Sequence, residues 1–136
     1  EKFYKNLNKN FIFLKRNNDR KFAYQAIDES KLTIGIDSTL AYESLSRGNK
    51  TFLISCRNEF IGGESYKFGW PKKFGEFGTF WSNNFIEEKI LKSLEKLIEL
   101  DKISLNNELQ FFKNECIYFN ENNTILKNFF KNNFNN

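Results

Sequence analysis

Apolar positions along this chain change period several times, and each change marks an element. Phe11-Ile12-Phe13-Leu14, followed by Lys15-Arg16 and the polar Asn17-Asn18-Asp19, predicts a strand running into a loop. Phe22, Ala26 and Ile27 share one side of a short helix over 22–30. Lys31 to Ile36 reads as a second strand, Thr39 to Arg47 as a second helix closed by Gly48, and Lys50 to Ser55 as a third strand. This alternation predicts an α/β fold: a parallel, Rossmann-like sheet of three or more strands with flanking helices and right-handed crossovers.

Between Arg57 and Ser82 the pattern breaks. Glycines 62, 63, 69, 75 and 78 alternate with Phe68, Trp70, Phe74, Phe77, Phe80 and Trp81, around the single proline, Pro71. A loop this long inside one domain is usually functional or else badly assigned, and its aromatics argue against simple disorder. Regular spacing returns at 85–100, where Ile86, Ile90, Leu91, Leu94, Leu97 and Ile98 form one apolar face. Asn84 is the predicted cap there, and Glu88 stands opposite Lys92. Further helices over about 105–114 and 122–134 make the C-terminal third helical.

The length of 136 residues suits a single α/β domain spanning residues 1–136. Glu1 as first residue and the absence of methionine lead us to expect a piece of a longer product. The net charge of +4 comes from basic residues interleaved with acids along the chain, which fits a solvated surface and not a nucleic-acid binder. Histidine is absent, so Ser-His-Asp and Cys-His mechanisms and His-ligated metals are excluded within this chain. Cys56 and Cys116 stand apart, which predicts reduced thiols in a cytoplasmic protein and no metal site. The apolar runs are too short to span a bilayer.

Candidate chemistry concentrates at Asp37-Ser38-Thr39. A strand that ends where a helix begins aims free backbone N–H groups and the positive end of the helix dipole past the sheet edge, which favours an anion such as phosphate. The hydroxyls of Ser38 and Thr39 can supplement those donors, and Glu43 follows Thr39 by one turn on the same helix face. A carboxylate there repels phosphate but can accept hydrogen bonds from a sugar diol beyond it. The alternative from spacing alone is a helix cap at Asp37 or Ser38 with Glu43 solvated. Arg57 and Lys15-Arg16, each just past a predicted strand, could offset diphosphate charge or lie on the surface. Trp70 and Trp81 could stack on a base or sugar, or fill a small core with the phenylalanines of the loop.

The run from Asp37 to Lys50, followed by Phe68-Gly69-Trp70-Pro71 and Gly78-Thr79-Phe80-Trp81-Ser82-Asn83, resembles a family of bacterial surface-carbohydrate biosynthesis proteins. The motifs resemble the C-terminal half of that family, whose members look like GT-B glycosyltransferases. Ala41 stands where glycine would be expected. The resemblance implies the donor-binding half of a two-domain protein, its N-terminal domain lying outside this chain. It also implies a nucleotide-diphosphate sugar as substrate, no cofactor, and diphosphate and ribose roles for Ser38, Thr39 and Glu43. Catalytic residues are not implied. A sugar-nucleotide epimerase would use the same helix tip, and a non-enzymatic phosphate-binding module with Asp37 as phosphoacceptor is a third reading. The last helix pairs Ile125, Leu126, Phe129 and Phe130 with Lys127 and Lys131, a pattern that suits either packing or peripheral contact with an anionic inner membrane.

Overall fold

The computed structural model describes residues 2–15, 21–56, 61, 69–113, 115–117, 120 and 122–134. Its elements in chain order are α1 (Lys2–Leu7), α2 (Lys21–Glu29), β1 (Thr33–Ile36), α3 (Thr39–Ser46), β2 (Thr51–Ile54), a 3-10 turn (Lys72–Phe74), β3 (Trp81–Ser82), α4 (Glu87–Glu99), α5 (Lys102–Lys113) and α6 (Thr124–Phe134). The fold is mixed α/β with a helical C-terminal region.

The three strands form one parallel sheet in the order β1-β2-β3, with Gly35 beside Leu53 and Leu53 beside Trp81. β2 is central and buried along its whole length, as an apolar strand with a partner on each side should be. α3 returns the chain from β1 to β2 and packs on both strands. Its end follows from Gly48, whose φ of 87° completes a Schellman motif: Gly48 N–H donates to Leu45 O at 2.9 Å and Asn49 N–H to Ser44 O at 3.2 Å. On the α3 side of the sheet the Ser44 and Thr51 hydroxyls, both buried, satisfy each other at 2.8 Å.

One expected strand is absent. Residues 11–15 form no strand; Phe11 and Phe13 instead gather around Tyr4 of α1, with ring centroids 5.8 and 6.1 Å away, and Lys5 lies over the Phe13 ring. An apolar, aromatic run becomes a strand only where another strand accepts its ladder, and here a local aromatic cluster takes it instead. β3 is the converse case, a two-residue strand inside the stretch that reads as loop.

Trp70, Phe80 and Trp81 from that stretch join Leu45, Phe52 and Leu53 in the main core, together with Leu97 of α4 and Leu105 and Leu109 of α5. The cap of α4 also differs from expectation. Ile86 occupies the N-cap with no side-chain hydrogen bond, while Asn84 donates to Glu76 at 3.1 Å. α5 has the cap that α4 lacks, since Asp101 accepts the Ser104 N–H at 2.8 Å.

Candidate functional site

The carboxyl ends of the parallel strands carry Asp37 and Ser38 after β1, Ser55 and Cys56 after β2, and Asn83 and Asn84 after β3. In open α/β sheets this edge is where ligands bind. The β1–α3 turn is its most polar part. Asp37 has a left-handed backbone (φ 49°) and its N–H donates to Ile54 O at 3.4 Å, so the ladder runs one residue past β1 before the chain turns. Ser38 is then the N-cap of α3, extended at φ −123° and ψ 126°, with no side-chain cap hydrogen bond. Its carbonyl accepts the Ala41 N–H at 3.2 Å. By helix geometry the N–H groups of Thr39 and Leu40 have no acceptor within α3.

Ser38 is half-buried and Thr39 exposed, and neither hydroxyl is hydrogen-bonded among the described residues. Glu43 lies one turn on, at the surface, and accepts a short hydrogen bond from the Tyr24 hydroxyl of α2. That bond, and then burial, raise the Tyr24 pKa above its ordinary 10.0. One turn further, Arg47 pairs with Asp28 through two hydrogen bonds, and Asn49 donates to the same carboxylate at 2.7 Å. The Arg47 bond first, then Asn49, hold the Asp28 carboxyl below its ordinary value. Tyr24 and Asp28, four apart on α2, therefore meet Glu43 of α3 and Arg47, its C-cap four residues on. This matched i, i+4 pattern is visible in the sequence, but it identifies a contact only once the two helices are known to be neighbours.

Gly35 lets α3 sit close to the sheet: a Cβ there would lie 2.2 Å from Ala41 Cβ. The expected small residue is therefore on the strand as well as on the helix. Together these residues place two hydroxyls and helix-start amides at the start of α3, with a carboxylate held by a tyrosine one turn further along.

Trp70 and Trp81 lie elsewhere. They are 4% and 6% exposed and stack on each other with centroids 5.7 Å apart. Tyr42 lies parallel to Trp70 at 5.8 Å, and Phe112 meets both indoles edge to face. Asn83, itself buried, holds Trp70 in place: its Oδ1 accepts Trp70 N–H at 2.6 Å and its Nδ2 donates to Trp70 O at 2.8 Å. Both tryptophans are thus core residues, and Trp70 is anchored by Asn83, the last residue of the second motif. Arg57 and Arg16 lie outside the described residues, and Lys15 is exposed beyond α1.

Neither Cys56 nor Cys116 is in a disulfide. Among the described residues no group of three or more Cys, Asp or Glu side chains could hold a metal ion, and no helix is long and apolar enough to cross a membrane.

Residues 1–134 match the model of a family described as "putative O-antigen biosynthesis protein". No curated protein and no solved structure matches the chain. The match spans both the β1–α3 turn and the aromatic core beside it, and so the chain belongs to this family, whose description points to surface-polysaccharide biosynthesis.

Proposed function

We propose that the β1–α3 turn binds the diphosphate of a nucleotide-sugar, and that the chain is the donor-binding part of a glycosyltransferase-like cytoplasmic protein. The observation that carries this reading is Ser38. It occupies the N-cap in the right conformation, yet its hydroxyl is not spent on capping, and the neighbouring Thr39 hydroxyl is also unengaged among the described residues. Both stand at the start of a helix that follows a parallel strand.

Each group has a role on this reading. The Thr39 and Leu40 amides, with the two hydroxyls, take diphosphate oxygens, and the dipole of α3 favours the negative charge that grows as the nucleotide departs. Glu43 accepts from the ribose diol, with Tyr24 fixing its carboxylate. Surface-polysaccharide biosynthesis supplies the context in which an activated sugar is the expected substrate. Calorimetry against nucleoside diphosphates is expected to show binding of one of them, weakened about tenfold by Ser38→Ala or Glu43→Ala, the loss of one charge-assisted hydrogen bond. Failure of every nucleoside diphosphate to bind, or equal binding by both variants, refutes the reading.

A further inference from the structure

The last helix, α6, buries none of its residues. Ile125, Leu126, Phe129, Phe130 and Phe134 are each 52–67% exposed. At 100° per residue they share about half of the helix circumference, with Lys127 and Lys131 on the other half. From Asn122 onward the sequence has no acid.

The other end of the described chain repeats this chemistry. Residues 2–15 hold four lysines and no acid, and their Phe3, Leu7, Ile12 and Leu14 are exposed. These two stretches together carry +6, while the remaining residues net −2, giving the overall +4. Exposed apolar surface and unbalanced positive charge therefore coincide, at both ends, in a chain that is otherwise slightly acidic.

We propose that α6 is an interfacial helix that seats its apolar side in an anionic lipid surface. Its phenylalanines and aliphatic residues enter the acyl boundary, while the lysine stems extend along the surface and place their ammonium groups among the headgroup charges. At eleven residues the helix is about 16 Å long, half a bilayer's hydrocarbon thickness, so it lies along the membrane and does not cross it. A protein groove would also accept an apolar helix face. The coincidence of that face with an acid-free, lysine-bearing sequence favours a partner whose charge is negative everywhere along the contact.

Sedimentation with vesicles tests this on the full chain, comparing neutral phosphatidylcholine with vesicles containing about a third phosphatidylglycerol. The expected result is binding to the anionic vesicles only, weakened by salt and by Lys127→Glu/Lys131→Glu, and reduced at least tenfold by Phe129→Ser/Phe130→Ser. Since both phenylalanines are exposed, that variant should keep the wild-type circular dichroism, and Asn128→Ser/Asn132→Ser on the polar side serves as the binding-competent control. Three outcomes overturn the proposal: no vesicle binding, equal binding to neutral vesicles, or full retention by the phenylalanine variant. A dimer in solution that the phenylalanine variant dissociates, without vesicle binding, assigns the face to a second copy and also overturns it.

Discussion

Gly35 and Ala41 are packed so closely that a methyl group on Gly35 would sit 2.2 Å from the Ala41 methyl. This one approach fixes how near α3 lies to the sheet and therefore where the helix start stands relative to the ends of β1 and β2. The Gly35→Ala variant is expected to lose about 1–3 kcal/mol from overpacking. Ala41→Gly should lose about 1 kcal/mol through helix propensity. In the double variant the clash is relieved, so its loss should be smaller than the sum of the two. Urea denaturation of the four proteins measures this coupling directly.

Asn83 replaces a strand's hydrogen bonds with a side chain. Removing it in Asn83→Ala leaves the Trp70 N–H and C=O buried without that partner, at about 1–3 kcal/mol for each orphaned group. Stability should fall accordingly in denaturant titrations, and the tryptophan emission should shift to the red as Trp70 gains water.

Gly78 makes room for the other indole. A Cβ at that position would lie 2.0 Å from the Trp81 ring, whose Nε1 donates to Gly75 O at 3.2 Å. The Gly78→Ala variant should therefore displace Trp81 and lower the thermal midpoint, with a change in near-ultraviolet circular dichroism.

The α2–α3 contact gives stability a pH signature on both limbs. Asp28 has a depressed pKa in the folded chain, so as pH falls the unfolded chain binds the proton first. Its contribution is complete above the ordinary 3.8 and is lost as pH falls through the depressed value. Tyr24 behaves oppositely. Its raised pKa gives a contribution present below 10.0 and lost as pH rises through the raised value. Melting temperatures against pH should show a shallower acid limb in Asp28→Asn and a shallower alkaline limb in Tyr24→Phe.

The parts of the fold legible in the sequence are those set by local period. The switch from alternating to helical spacing at Asp37 locates β1, the turn and α3 to within two residues, and Gly48 marks the end of α3. What escaped depends on partners distant in the chain. Phe11 to Leu14 has strand chemistry but no strand beside it among the described residues, and Trp81–Ser82 is too short to show a period yet pairs with β2. At the candidate site, helix geometry alone puts Thr39 and Glu43 on one face, with Ser38 at the cap before them. Tyr24, which orients Glu43, lies nineteen residues away and became visible only when α2 was found against α3. The two tryptophans share a motif with glycine, and only their burial separates a core role from a ligand platform.

On the proposed function, the start of α3 is an anion site for a nucleotide diphosphate. Amide chemical shifts recorded while a nucleoside diphosphate is titrated into the isotopically labelled chain test it most directly. The amides of Ser38, Thr39 and Leu40 are expected to shift first and most, with Glu43 following, and Ser38→Ala to reduce the response. Shifts confined to another region, such as the open pocket between Phe77–Thr79 and Lys92–Lys96, or no shifts at millimolar nucleotide, would contradict it.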